Sequence, residues 1–415
     1  MRIAIIGSGI AGLSCAYLLS RKHEITVFEA EQWIGGHTHT VDVAWQGEHH
    51  AIDTGFIVFN DWTYPHFIRL LDQLQVASRP TEMSFSVHDP ATGLEYNGHD
   101  LNTLFAQRRN LVSPGFWGML RDILRFNRQA LADLDNQRID ANATLGAYLQ
   151  AQRYGQRFID HYIVPMGSAI WSMSRADMLG FPLAFFVRFC RNHGLLSVNQ
   201  RPQWRVLEGG SRSYVGPLCQ PFVERIRLDC KVYQVRRDEG GVTLVSAAGT
   251  ERFDNVVFAC HSDQALALLE SPSMQERAVL GAIGYASNDV VLHTDTRLLP
   301  RRRNAWASWN YRLGGPEQAP AALTYNMNIL QGIQSSTTFC VSLNQTALVD
   351  PAQVIARFRY DHPQYSLAAS AAQARQAQLQ GRQHSYFCGA YWGNGFHEDG
   401  VVSALKVAAH FGERL

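Results

Sequence analysis

The stretch Arg2–Ala30, RIAIIGSGIAGLSCAYLLSRKHEITVFEA, decides the fold. Arg2–Ile6 is a short apolar run rich in β-branched residues, the pattern of a strand buried on both faces. Gly7-Ser8-Gly9-Ile10-Ala11-Gly12 follows as G-x-G-x-x-G, and a helical pattern continues to about Ser20. Ile25–Phe28 is a second apolar strand with Glu29 at its end. Each glycine has a physical task in a βαβ unit that holds a dinucleotide. Gly7 makes the tight turn, Gly9 lets a pyrophosphate approach the backbone, and Gly12 lets the helix pack on the sheet. The helix N-terminus offers unpaired N–H groups and a positive dipole end to phosphate. Glu29 is placed to accept hydrogen bonds from ribose hydroxyls. A glycine-rich turn without ligand is the bland alternative, and the flanking strands with a terminal acid argue against it.

Working outward, 415 residues suit two domains or one large interleaved pair. Apolar content of 46% and charged content of 18% are those of a globular enzyme. A net charge of +1 supplies no global field for nucleic acid. Seven cysteines, an odd number with no C-x-x-C pair, point to reduced thiols in a cytoplasm. No apolar run is long enough to span a bilayer, and the N-terminus has no signal-peptide layout. No H-E-x-x-H or paired ligand motif suggests a metal.

After Glu29 comes AEQWIGGHTHT, with Gly35-Gly36 shortly beyond the acid. G-x-G-x-x-G, a terminal Glu and then Gly-Gly resembles the FAD signature of the flavin-containing amine oxidase superfamily, which also holds phytoene desaturases and protoporphyrinogen oxidases. One departure is His37, where that family usually has Arg; an imidazole supplies less charge to a phosphate. IDTGFIVFN (Ile52–Asn60) resembles the family's D-x-G loop, which implies that Asp53, Gly55 and Phe56 pass close to the flavin ring. VLEGGSRSYVGPL (Val206–Leu218) resembles its G-G-x-x-x-L turn. Cys230–Cys260 reads as three strands, glycine turns and a closing apolar strand, and the resemblance implies that the Val232 backbone meets adenine. DTGFIVFN, RPQWR, GGSRSYV, PRRRNAWASWNY and GFHEDG carry a closer likeness to a bacterial branch often encoded beside cyclopropane-fatty-acyl synthases, which suggests a lipid link.

The expected architecture is α/β: a Rossmann-type FAD domain from 1–65, 204–270 and 384–415, with an interleaved α+β substrate domain from 66–203 and 271–383. Within the latter, Glu82–Gly98 reads as a hairpin turning at Asp89–Gly93, and alternating runs at Asp289–Thr294, Leu323–Leu330 and Phe339–Leu343 suit an antiparallel sheet. Ala352–Tyr360 and Leu367–Leu379 look helical. Near the C-terminus, Tyr386–Cys388 is a short strand, Gly389 opens a turn, and a helical pattern starts at Gly400. Gly400 and Val401 would then donate from a helix start toward the flavin, with Asp399 as its N-cap. Phe396 matches the family position that flanks substrate. His397 reads as a polar substrate contact or a surface histidine, and Tyr391, Trp392 and Trp171 as walls of an apolar cleft. Core packing is the plain alternative for each aromatic. Cys388 is a thiol near the expected ring or a buried strand residue.

In the resembling amine oxidases a lysine lies near flavin N5. The matching stretch IGYASNDVVLHTD has Asn288-Asp289 there and no lysine. The expectation is therefore FAD-dependent hydride removal from an apolar or lipid-like substrate. Amine oxidation, and a binding protein with structural flavin, are the alternatives. Arg108–Leu131 places Phe116, Trp117, Leu120, Ile123, Leu124 and Leu131 at helical spacing, with Arg121, Arg125 and Arg128 on another face. Packing on its own domain is the commoner role of such a helix; peripheral contact with the inner membrane face is the sharper one. Gly180–Cys190, dense in phenylalanine, is core or the lining of a tunnel, and Arg301-Arg302-Arg303 a solvated turn or an anion contact.

Overall fold

A computed structural model describes residues 1–199, 201–314 and 318–415. Strand β1 (Arg2–Ile6), helix α1 (Ile10–Leu19) and strand β2 (Glu24–Phe28) form the expected right-handed unit. β1 pairs in parallel with β2 on one side and with Asn255–Phe258 on the other. Ile226–Arg227 and Ser385–Phe387 complete a five-stranded, all-parallel sheet drawn from distant parts of the chain. Its middle strands read Ile-Ala-Ile-Ile and Val-Val-Phe because both faces are covered. On one face α1 packs against the C-terminal helix His397–His410. A three-stranded antiparallel meander, Val232–Asp238, Gly241–Ser246 and Gly249–Phe253, lies over the other.

The second sheet has seven strands and is mostly antiparallel. Phe85–Asp89 and Leu94–Asn97 form the hairpin at its edge, closing with Asp89 opposite Leu94. Gly284–His293 runs longer than its alternating core, and Leu323–Asn326 turns into a short helix, Met327–Leu330, where a continuous strand was expected. Ala352–Tyr360 is the clearest correction. Val354–Gln364 is an edge strand, not a helix, pairing with Gly284–His293 from Gln364 opposite Gly284 to Val354 opposite His293. Its period is two: Arg357 and Arg359 are exposed while Tyr360 is buried among Val290, Leu292 and Val341.

A helical cluster caps this sheet. Pro114–Asp135 is its longest member, and Leu183–Asn192 carries Phe186 and Phe189 into an aromatic core with Phe126, Phe158 and Trp171. On Pro114–Asp135 the buried face is Phe116, Met119, Phe126 and Ala130. Trp117 and Leu124 are instead exposed and share a stripe with Arg121 and Arg128, so they do not belong to the apolar face the sequence suggested. Among the described residues, no helix is long and apolar enough to cross a membrane, and no cluster of three or more His, Cys, Asp or Glu is placed to hold a metal ion.

Candidate active site

The glycine-rich turn shows why each glycine stands where it does. Gly7 adopts φ 106°, and a Cβ there would sit 2.9 Å from the Ala259 carbonyl oxygen. A Cβ on Gly12 would strike the Gly7 carbonyl, so α1 can approach β1 only without one. A Cβ on Gly9 would meet nothing within 4 Å. Gly9 is also the N-cap of α1, with no side-chain cap and no acid in the first turn. Gly35 and Gly36 have φ of 124° and 58°, and a Cβ on Gly36 would come 3.1 Å from the Gly9 Cα. The second glycine pair thus lies on the first. Glu29 is oriented toward this turn: Oε2 accepts the Ser8 N–H at 2.9 Å and the Ser8 hydroxyl at 2.6 Å, and Oε1 accepts the Glu31 N–H at 3.0 Å. Val232 opens the first meander strand, and the preceding Cys230 N–H donates to the Glu29 carbonyl.

Asp53 does not face a ligand. Its Oδ1 accepts from Thr40 Oγ1 (2.6 Å), Ser211 N–H (2.8 Å) and Ser211 Oγ (2.9 Å), and Oδ2 from Gln331 Nε2 (2.9 Å). Burial pushes its carboxyl up to about 6 while those donors pull the other way. It ties the D-x-G loop to the G-G turn and to the second sheet. Gly55 packs its Cα on the His37 carbonyl, which also accepts the Phe56 N–H at 2.7 Å. His37 leaves its Nε2 buried without a partner. Its ring lies 5.1 Å from Tyr360, 5.6 Å from His362 and 6.1 Å from His261. Burial and the neighbouring histidines hold it neutral.

The C-terminal loop departs from expectation in four ways. The helix begins at His397, so the Gly400 N–H is already bonded to the Phe396 carbonyl and Val401 is wholly core. Neither can donate to a ligand. Gly400 instead lets the helix meet α1, since a Cβ there would lie 2.7 Å from Ile10 Cγ2. Asp399 is correspondingly not the N-cap but sits in the first turn, reaching back to accept the Phe396 N–H at 2.9 Å. His397 does not face substrate: its Nε2 meets Thr38 Oγ1 at 2.9 Å and Tyr214 OH at 3.1 Å, and its ring stacks on Phe56 at 3.5 Å. Burial depresses it to about 3. Tyr391 and Trp392 pack into the core beneath the parallel sheet with Ile6, Phe258 and Phe387, so they line no cleft. Gly389 donates its N–H to Ser403 Oγ at 2.8 Å. Cys388 is fully buried beside Cys15, which pushes its thiol up.

Phe396 and Trp171 bring the C-terminal loop against the helical cluster. Trp171 Nε1–H donates to the Asn394 carbonyl at 3.2 Å. Phe396 stacks on Phe189 at 5.3 Å, and Phe189 lies 4.7 Å from Trp171. A cavity of about 390 Å³ opens beside Phe396. Its border is mixed and not purely apolar: Trp62, Tyr64 and Phe396 are joined by His193, Asn394, Glu398 and Asp399. Both carboxylates are engaged, Glu398 accepting the His66 and Phe67 N–H groups at 3.1 and 2.9 Å.

Sequence reasoning missed the groups that gather around His37. His362 lies on the strand misread as a helix, within hydrogen-bond distance of Ser172 and Asn288. Thr38 and Tyr214, which hold the His397 ring, also went unread. An alternating reading of Val354–Gln364 would have brought His362 forward.

A Rossmann sheet with an open helix N-terminus, a terminal acid and a second sheet over the same junction defines an FAD-dependent oxidoreductase. The chain belongs to the flavin containing amine oxidoreductase family, whose sequence model matches residues 10–327. A curated relative, 15-cis-phytoene desaturase from Synechococcus elongatus, is 37% identical over 81 residues, 19% of this chain and 16% of that protein. The match therefore spans well under two thirds of the relative. A CLA-producing fatty acid isomerase from P. acnes superposes with a TM-score of 0.72 at 14% identity, covering 99% of this chain and 98% of the other. Cyclohexylamine oxidase from Brevibacterium oxydans IH-35A gives 0.68 at 16% identity, covering 99% and 98%. These likenesses establish the fold. The residues fit FAD: the uncapped α1 N-terminus and bare Gly9 leave room and N–H groups for a pyrophosphate, and the orphaned His37 Nε2 lies where the second glycine pair leads into the junction. Asn288, in the stretch where the resemblance led to the expectation of a lysine, is fully buried. The lysines of the whole chain are Lys22, Lys231 and Lys406, all on the surface.

Proposed function

We propose that this enzyme takes a hydride from a C–H bond of an apolar or amphipathic substrate, with an acyl lipid chain as the substrate class. The division into an FAD half (1–65, 204–270, 384–415) and a substrate half is part of the same proposal. The carrying observation is the aromatic wall of Trp171, Phe189 and Phe396. Bound FAD supplies the hydride acceptor. The chain supplies the rest: the α1 N-terminus holds phosphate, Glu29 holds ribose, the Val232 backbone borders adenine, and Phe396 with Trp171 orients the chain and excludes water. Each buried methylene contributes about 0.8 kcal/mol, whereas an unpaired ammonium in such a wall costs several kcal/mol. One observation favours amine oxidation, the nearness of Glu398 and Asp399 to the cavity. Their hydrogen bonds to Phe67, His66 and Phe396 leave neither free to receive a cation. Anaerobic mixing of the yellow protein with acyl lipids and simple amines tests this: lipid bleaches the flavin absorbance, and bleaching by amines alone overturns it.

The proposal extends to an anionic bilayer surface as partner. Trp117, Arg121, Leu124 and Arg128 form one exposed stripe, and Val112, 83% exposed, with Leu111 and Leu101 continues the apolar surface beside Arg108 and Arg109. Apolar residues interleaved with arginines match an anionic lipid interface. The protein should float with vesicles containing phosphatidylglycerol and not with phosphatidylcholine alone, and Arg121→Glu with Arg128→Glu should abolish flotation. Equal flotation by that variant, or none by the parent, overturns the assignment.

A further inference from the structure

Asn344 is anchored to backbone at both ends of its amide. Its Oδ1 accepts the Asp289 N–H at 3.2 Å, and its Nδ2 donates to the Ala321 carbonyl at 3.0 Å. The reverse orientation would set N–H against N–H and carbonyl against carbonyl, so the amide has one assignment. The same Nδ2 donates to Asn288 Oδ1 at 2.8 Å. Asn288 must therefore present its own Nδ2 on the far side, where it donates to the Ala286 carbonyl at 3.1 Å and faces His362 Nδ1 at 3.3 Å. The second amide hydrogen lies between His362 Nδ1 and the Tyr360 carbonyl at 3.5 Å, and the nearer nitrogen takes it as acceptor, with Ser172 Oγ on the same nitrogen at 3.0 Å. Burial and the nearby His261 hold the ring neutral, down to about 4. A neutral imidazole with an accepting Nδ1 carries its proton on Nε2. Backbone groups two residues removed thus set the tautomer.

That Nε2 has no hydrogen-bond partner among the described residues, yet it is not one of the polar atoms sealed from solvent. The ring stands 5.6 Å from His37, on the segment that follows the second glycine pair. Ser172, which holds Nδ1, ends the helix of Trp171 in a left-handed conformation, φ 54°, that non-glycine residues adopt only under constraint. Three parts of the molecule converge on this one ring: the loop after β2, the helix of the aromatic wall, and the second sheet.

We infer that His362 is a hydrogen-bond donor of the active cleft, its Nε2–H serving an uncharged or anionic acceptor on the cofactor ring or on a substrate oxygen, with Asn288, Asn344 and Ser172 as positioning residues. This rests on the reading of the junction as the place where FAD and substrate meet. A fixed, uncharged donor selects for acceptors and gives an ammonium group nothing to bind, which deepens the preference for acyl over amine substrates. It also explains why Asn288 is an amide: a carboxylate there would take the Nδ1 proton and reverse the ring.

The test uses the FAD-loaded protein labelled with nitrogen-15 in histidine, together with His362→Phe and Asn288→Asp. Nitrogen NMR of the parent should show His362 protonated on Nε2 alone, and Asn288→Asp should move protonation to Nδ1. If the acceptor is on the cofactor, His362→Phe lowers the flavin midpoint potential at unchanged FAD content and melting temperature. If it is a substrate oxygen, the potential holds and the oleate concentration needed to perturb the flavin spectrum rises at least fivefold. A parent ring protonated on Nδ1 overturns the inference, as does a His362→Phe protein unchanged in both potential and oleate response. Failure to bind FAD would instead overturn the functional reading, because the tautomer is read with or without cofactor.

Discussion

Two helix N-termini lie near the centre of this molecule, and they are finished in opposite ways. α1 begins at Gly9 with no side-chain cap and no acid in its first turn. The C-terminal helix begins at His397 with Glu398 and Asp399 in its first turn, Asp399 folding back onto the Phe396 N–H and Glu398 onto the His66 and Phe67 N–H groups. An N-terminus carries about half a positive charge. The second helix carries two carboxylates in its own first turn, and the first carries none. An external anion is thereby directed to α1, and the C-terminal helix serves as a packed strut against α1 and not as a charge donor.

Acid should strain the occupied end most. Burial lowers His397 to about 3 and His193, His293 and His362 to about 4, against an ordinary 6.5. The unfolded chain therefore binds protons that the folded one refuses, so stability is complete above 6.5 and falls as pH drops through 6.5 toward 4. Asp53 and Asp399, raised to about 6, work the other way between 6 and 3.8, but two groups oppose four. Urea midpoints measured across this range should fall toward acid; a flat or rising profile contradicts the burial of these rings. A pair of glycine variants separates packing from binding at the open end. Gly12→Val should cost about 3 kcal/mol or more in urea unfolding, because its Cβ strikes the Gly7 carbonyl. Gly9→Val, with nothing within 4 Å, should leave the apoprotein's stability within about 0.5 kcal/mol while abolishing FAD retention on gel filtration. Glu29→Ala should weaken FAD binding by roughly 1.5–3 kcal/mol in calorimetry, the range of a charge-assisted hydrogen bond. Smallest is Asp399→Ala, which should lower stability by about 1 kcal/mol through loss of the Phe396 contact, with FAD affinity unchanged. A large loss of FAD in that variant would restore the C-terminal helix as a cofactor contact.

What could be read from the chain followed the range of the interactions. Gly7, Gly9 and Gly12 were legible because backbone geometry at each depends on neighbours a few residues away. The hairpin at Asp89–Gly93 was legible for the same reason. Val354–Gln364 was not, since Ala352, Ile355, Ala356 and Tyr360 also suit a helical spacing, and only pairing with Gly284–His293 settles the period. With that strand went His362, and with it the histidine-lined junction. His397 was misplaced because its partners Thr38 and Tyr214 lie hundreds of residues away. Asp53 looked like a ligand residue because its loop was familiar, while its four donors come from segments that meet only in the folded molecule.

The composition of the parallel sheet has a consequence for how the molecule comes into being. β1 is flanked on one side by β2, some twenty residues on, but on the other by Asn255–Phe258, and the next strand outward is Ser385–Phe387. The second partner of the first strand is thus supplied from some 250 residues further along the chain. Pairing across such separations carries a large loop-closure entropy and is slow. Until Asn255–Phe258 docks, β1 presents an unpaired edge of Ile3, Ala4, Ile5 and Ile6, a surface that invites association with other chains. Assembly of the phosphate turn's sheet thus waits on the pairing of distant segments.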